Sequence, residues 1–281
     1  VKLLNGVFSM FRSEGAMKIF VSDYWWHINS FITKMDEIEI TMMERKETRN
    51  TKTNIWKYKI RFNRPSDYVT CAIKRHAEKK RQYYERMWRV LGGHPNFSRR
   101  FSWYGTNFWE VVKPAYEHLV THFSGKVVET IEGIERLFKK QNIDAVILRA
   151  STSGQIHFSA LGLVARAMGI PAVELQHGLE CSEDFSLSVN KSADFLASYG
   201  LLVKEELEKV NEGSLRVLEI GSPRFDQYRN EAIIEKTKNN LRKRLDIDAG
   251  RPVLLYVATD IVLGQTYDTY SMRRLFKNIS A

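Results

Sequence analysis

The stretch DAVILRASTSGQIHFSALGLVARAMGIPAVELQHGLECSEDFSLSVNKSADFLASYGLLVKEELEKVNEGSLRVLEIGSPRFD, residues 144–226, decides the fold. Short apolar runs alternate in it with segments of helical period. Asp144–Leu148 (DAVIL) is a continuous apolar run, the pattern of a strand buried on both faces. Pro171–Leu175 (PAVEL), Asp194–Ser198 (DFLAS) and Leu215–Ile220 read as further strands. Between them lie a helix rich in small residues at 155–168, stopped by Gly169 at its C′ position, and a second helix at 202–210. Strand, helix and strand at this spacing predict right-handed crossovers, and hence a parallel sheet.

Working outward, Lys18–Val21 and Glu37–Met43 (EIEITMM) read as strands, the second half-exposed because Ile alternates with Glu and Thr. Residues 66–92 read as one amphipathic helix, capped by Ser66 or Asp67 and stopped by Gly92-Gly93. His94-Pro95-Asn96 predicts a turn, and 107–140 carries long helical periodicity with Pro114 near a helix start. Downstream, 229–249 reads as a charged linking helix and Pro252–Ala258 (PVLLYVA) as a restarting strand. The expected architecture is α/β: a Rossmann-like domain over 1–228, with a basic helical insertion at about 44–140. The linking helix and the truncated start of a second Rossmann-like domain would occupy 229–281. The chain opens on Val and stops at RRLFKNISA soon after that strand, so we expect a piece of a longer protein.

Of 281 residues, 43% are hydrophobic and 27% charged, the balance of a globular protein. No run approaches the ~18 apolar residues of a membrane span. VKLLNGVFSM at the start is too short and mixed for a secretory signal. Cys71 and Cys181 are too few for a disulfide framework or a zinc site, and a reducing, cytoplasmic setting follows as the expectation. The net charge of +10 is concentrated: residues 41–100 hold 17 Lys and Arg against 5 Asp and Glu. In the 66–92 helix, Lys74, Arg75, Lys79, Lys80, Arg81, Arg86 and Arg89 mix with Tyr83, Tyr84, Met87 and Trp88. That mixture suits an anionic lipid surface or single-stranded nucleic acid, and equally a solvated helix packed on a sheet. His118 and His122 share a helix face, but HLVTH is not a zinc motif and no third ligand is evident, so no metal is expected.

Five pieces occur in order: DAVILRASTSGQIHFSALGLVARAMG, GIPAVELQHG, ADFLASYG, VLEIGSPRFD and RPVLLYVATD. Over Asp144–Asp260 the chain resembles the second half of a GT-B N-terminal domain, more narrowly surface-polysaccharide glycosyltransferases and CDP-glycerol glycerophosphotransferases. The resemblance implies transfer of a sugar from a nucleotide-sugar donor to a glycan or lipid-linked acceptor, with no further cofactor. It also implies that most donor-binding groups belong to the second domain, and that peripheral contact with an anionic inner membrane face accompanies lipid-linked acceptors. In glycerophosphotransferase-like enzymes the His of a similar His-Gly element acts as base, which points to His177. Here Leu179-Glu180 replaces their Thr-Pro-Leu-Lys continuation, which favours sugar transfer over glycerophosphate transfer.

In a doubly wound sheet, reactive groups gather beyond the carboxyl ends of the strands. His177 follows PAVELQ, an imidazole can accept a hydroxyl proton near neutral pH, and Gly178 permits a tight turn. Gln176 precedes it. Ser151, Thr152, Ser153 and Gly154 stand before a helix, where backbone N–H groups can meet phosphate or hydroxyl, or simply cap the helix. Glu180, with Glu183 and Asp184 beside it, could orient the imidazole or bind an acceptor hydroxyl. Arg224 and Asp226 follow another strand; Arg224 suits a phosphate, or pairs with Asp226 at a hinge. Thr259, Asp260 and Gly264 follow the restarting strand, with Tyr267 and Tyr270 nearby. Ser22 and Asp23, followed by Trp25, Trp26 and His27, end the first strand. In GT-B folds the corresponding loop lines the acceptor pocket.

Two other classes stay open at this point. One is an enzyme of the glycerophosphotransferase or UDP-N-acetylglucosamine 2-epimerase kind, although the epimerases' His-x-Glu-Ala-Gly element is absent. The other is a non-catalytic module whose basic block holds membrane or RNA; no RNP1 or GXXG signature supports nucleic acid as a partner.

Overall fold

The computed structural model describes residues 16–22, 38–43, 60–152, 156–176, 191–211, 215–221 and 231–248. The chain divides into two compact units, Val1–Gln227 and Tyr228–Ala281.

The first unit is built on one sheet of seven strands: β1 (Met17–Val21), β2 (Ile38–Met42), β3 (Arg61–Phe62), β6 (Ala145–Leu148), β7 (Ala172–Leu175), β8 (Phe195–Ser198) and β9 (Arg216–Glu219). Their order is β3-β2-β1-β6-β7-β8-β9, and every pairing is parallel. The sheet is α/β and Rossmann-like, as the alternation over 144–226 requires. Strand order reverses between β1 and β6, and in sheets of this kind the crevice beyond the carboxyl ends at the reversal is where ligands sit. The two central strands are locked at their amino ends by Asp144, whose Oδ2 accepts the Lys18 N–H at 2.8 Å.

Both faces of the sheet are buried. Ile19, Val21, Ile40, Met42, Ala145, Ile147, Val173 and Ala197 form one core, while Phe20, Val146, Leu148 and Ala172 point the other way. Helix α4 (Ser124–Gln141) supplies Ile134, Leu137 and Phe138 to the second core, and α5 (Ile156–Ala167) supplies Phe158, Leu161, Val164 and Ala165. Helix α6 (Leu201–Val210) seals Leu196 and Val217 with Val203 and Leu207. Helix α5 stops where expected, with Gly169 at φ +72°.

Several expectations are corrected by tertiary context. Strand β2 is half-exposed only at its start: Ile38 and Glu39 are half-buried, whereas Thr41 is 7% exposed between Ile40 and Met42, where β1 and β3 lie on either side. Ser66 and Asp67 do not cap the long helix. They lie in a 3-10 turn, Pro65–Tyr68, where Asp67 Oδ2 accepts the Arg64 N–H. Extended backbone at Val69 separates this turn from α1 (Cys71–Leu91), which Thr70 caps by accepting the Ile73 N–H at 3.3 Å. His94 caps a short helix, α2 (Pro95–Ser98), in place of the expected turn. A small hairpin, β4 (Ser102–Trp103) and β5 (Thr106–Asn107), leads into α3 (Trp109–His118). Pro114 lies inside α3, not at its start, and a π-helical segment, Leu119–Phe123, joins α3 to α4. The 44–140 stretch thus contributes an edge strand, β3, and a packing helix, α4, to the sheet domain itself.

In the second unit the described part is α7 (Glu231–Arg244), none of whose residues is buried. The strand expected at 252–258 lies outside the described residues.

Candidate functional site

Three of the predicted site residues end adjacent strands at the carboxyl edge, and each is tied to a neighbouring loop. Ser22 follows β1 and is 1% exposed. Its N–H donates to the Ile147 carbonyl at 3.0 Å, and its Oγ accepts the Arg149 N–H at 3.2 Å. It therefore clasps the β1 and β6 ends together at the reversal point. Gln176 follows β7, and its Oε1 accepts the Tyr199 N–H at 2.6 Å, which fixes the β7 end against the turn after β8.

Ser151 belongs to a buried polar network that sequence reasoning missed. Its N–H donates to Glu174 Oε2 at 2.8 Å, its Oγ accepts the Ser192 N–H at 3.1 Å, and its carbonyl accepts the Ser192 hydroxyl at 3.1 Å. The other carboxylate oxygen of Glu174 accepts from Lys191 Nζ at 2.7 Å, with the two side chains 0% and 2% exposed. Glu174 sits mid-strand, in register between Leu148 and Leu196, on the face covered by α5. A carboxylate there is tolerable only with a cation and hydrogen bonds to match it. One signal was legible: PAVEL carries a single charge inside an otherwise buried strand, and such a charge demands a partner. The partner's identity was not legible, since Lys191 lies seventeen residues further along the chain. The Ser151 N–H, expected to face a phosphate or hydroxyl, is instead directed to Glu174. Thr152 adjoins it, half-buried.

A cavity of about 460 Å³ opens at the same edge. Met43 after β2, Arg64 after β3, Val69, Lys126 of α4, and Ile156 and His157 of α5 line it. Its size falls within the range of small-molecule sites, and its wall combines apolar surface with two cations. Lys126 also faces Glu129 at 3.8 Å, so the excess positive charge is modest. The imidazole of His157 packs against Phe158, with ring centroids 4.4 Å apart. Arg64, Lys126 and His157 were not predicted. They sit on three separate segments whose convergence no local pattern announces.

His177, Gly178, Glu180, Asp23, Ser153, Gly154, Arg224, Asp226, Thr259, Asp260 and Gly264 lie outside the described residues, as do Trp25, Trp26, His27, Glu183, Asp184, Tyr267 and Tyr270. Within them, His118 and His122 stack at 5.2 Å, and among the described residues no group of three or more His, Cys, Asp or Glu is placed to hold a metal ion. Among the described residues no helix is long and apolar enough to cross a membrane.

The basic helix α1 is partly self-neutralised. Arg81 bonds Glu78 at 2.7 Å and Glu85 at 3.4 Å, and Arg89 bonds Glu85 at 3.0 Å. Hydrogen bonds from Arg81 and then Gln82 lower the Glu78 carboxyl from 4.5 to about 2. Ile73, Ala77 and Trp88 are buried, while Tyr83, Tyr84 and Met87 stay exposed.

No family model matches the sequence, and no curated protein matches it. Among solved structures the chain is similar to UDP-N-acetylglucosamine 2-epimerase from Rickettsia bellii, at 12% identity and a TM-score of 0.38. The match covers 83% of this chain and 52% of that one, so the chain spans about half the length of that protein.

Proposed function

We propose that this chain is the acceptor-side half of a GT-B-like glycosyltransferase. It would move a sugar from a nucleotide-activated donor to a polysaccharide or glycolipid acceptor in cell-surface carbohydrate assembly. The observation that carries the reading is the coincidence of a strand-order reversal with a cavity at the same carboxyl edge of a parallel sheet. The order of the motifs from GIPAVELQHG to VLEIGSPRFD supports it.

In this proposal His177, next in the chain after the anchored Gln176, removes the proton from the acceptor hydroxyl. The acceptor oxygen bonds to the anomeric carbon, the bond from that carbon to the phosphate oxygen breaks, and the nucleotide leaves with the electron pair. Arg224 offsets charge on the departing phosphate. Ser22, Gln176 and the Ser151 network act indirectly, by fixing the strand ends from which the chain runs on.

The test is release of nucleotide from UDP-, GDP- and CMP-sugars by the full-length protein with glycan and glycolipid acceptors. One donor class is expected to turn over. His177→Ala is expected to lower kcat by at least about 10²-fold while leaving the circular dichroism spectrum intact. Release from none of the donors would refute the transferase reading, and wild-type turnover in His177→Ala would remove the base.

A further inference from the structure

The β4–β5 hairpin is not explained by any site at the sheet. Its register pairs Ser102 with Asn107 and Trp103 with Thr106, leaving Tyr104 and Gly105 as the turn. Both turn residues have positive φ, +46° and +78°, the geometry of a type I′ turn. Asn, Asp or Gly is the low-energy choice at the first of these positions, yet Tyr stands there. Trp103 is 70% exposed and Tyr104 89%, with their rings in contact at 4.8 Å. Most of both side chains faces solvent, so burial in the fold contributes little to their placement.

The base of the hairpin is packed on aromatic rings. Phe101 and Trp109 flank the hairpin at 4.8 Å, and Phe97 and Trp88 reach Trp109 at 5.2 and 5.9 Å. The Phe108 N–H closes the hairpin base on the Phe101 carbonyl at 2.9 Å, and Asn107 Oδ1 accepts the Trp109 N–H at 2.7 Å where the hairpin enters α3. Beside the tip, Phe108 and Val111 are exposed as well. Along the chain the hairpin is flanked by basic residues, of which Arg89 is paired with Glu85. No acidic residue occurs between Glu85 and Glu110, while Arg86, Arg89, Arg99 and Arg100 do, all exposed.

We infer that the Trp103-Tyr104 hairpin is a wedge that seats the protein in the headgroup layer of an anionic bilayer. Trp and Tyr favour this layer because their rings are apolar and their N–H and O–H groups stay wet. Arg99 and Arg100, adjoining the hairpin, meet lipid phosphates. A protruding two-ring tip with aliphatic neighbours fits a soft interface better than the ordered bases of a nucleic acid, which need a groove to track the strand. This assignment does not rest on sugar transfer, and its failure would leave the transferase reading standing.

The experiment is flotation of the full chain with vesicles of phosphatidylcholine, alone or with added phosphatidylglycerol. Binding is expected to the anionic vesicles and to weaken with salt. The variant Trp103→Ser/Tyr104→Asn suits the turn, so folding is retained, as circular dichroism would verify. It is expected to lose more than about tenfold in partitioning. Arg99→Gln/Arg100→Gln is expected to lose about fivefold per arginine on anionic vesicles only. Equal binding of wild type and the aromatic variant, or equal binding to neutral and anionic vesicles, would overturn the assignment. So would a dimer, an RNA complex or a glycan complex that depends on Trp103 and Tyr104 while vesicles are not bound.

Discussion

Replacing Lys191 by Met removes a charge whose side chain is 2% exposed. The ammonium donates to Glu174 Oε1 at 2.7 Å, and the carboxylate is fully buried beneath α5. Met matches the length of the side chain but leaves Glu174 with the Ser151 N–H and no cation. Removing one partner of a buried pair costs about 3–5 kcal/mol, because the remaining charge stays desolvated. Against a total stability of about 5–15 kcal/mol, that is a large share. With a urea m-value of about 2 kcal/mol/M, the midpoint should fall by about 2 M. Chemical denaturation followed by circular dichroism measures it. The double variant Glu174→Gln/Lys191→Met removes both charges and keeps an acceptor for Ser151, so it should be more stable than Lys191→Met alone. A loss below about 1 kcal/mol in the single variant, or a double variant no better than the single, would refute the idea that this pair closes the network.

Other consequences follow from the same packing. In Gly162→Ala the new Cβ would lie 2.2 Å from Ser192 Oγ and 2.8 Å from the Ser192 backbone carbon and oxygen. Backbone cannot swing aside as a side chain can, so α5 should be pushed from the 191–193 segment, with about 1–3 kcal/mol lost in thermal or urea unfolding. The Glu78 carboxyl, lowered to about 2 by hydrogen bonds from Arg81 and Gln82, should remain ionised well below pH 4 in an NMR titration. Its folded value is depressed, so its contribution to α1 is complete above pH 4.5 and fades as pH falls towards 2. Arg81→Ala should return its midpoint towards the ordinary carboxylate range, and an unchanged midpoint would deny that the guanidinium is the cause.

Much of the sheet was legible because its signals are local. Runs such as DAVIL and DFLAS and the stop at Gly169 each depend on residues within a few positions, and the strands formed within a residue or two of where they were read. Exposure was harder to read. EIEITMM alternates like a surface strand, yet neighbours on both sides bury its centre. Ser66 and Asp67 look like helix caps, yet the extended residue at Val69 leaves capping to Thr70. The candidate site was legible only in part. Ser22, Ser151 and Gln176 were found because they follow strands, but their roles as clasps depend on partners as far away as Arg149, Ser192 and Tyr199.

By itself, then, the amino-acid order determined an α/β chain with parallel strands and a concentrated positive charge, since period, turn residues and composition act over short range. Only the tertiary structure decided that β1 and β6 stand side by side, that Glu174 meets Lys191, that four separate segments line a cavity, and that Trp103 and Tyr104 are left largely exposed. Those outcomes depend on which distant surfaces meet, and residues more than a hundred positions apart carry no local mark of one another.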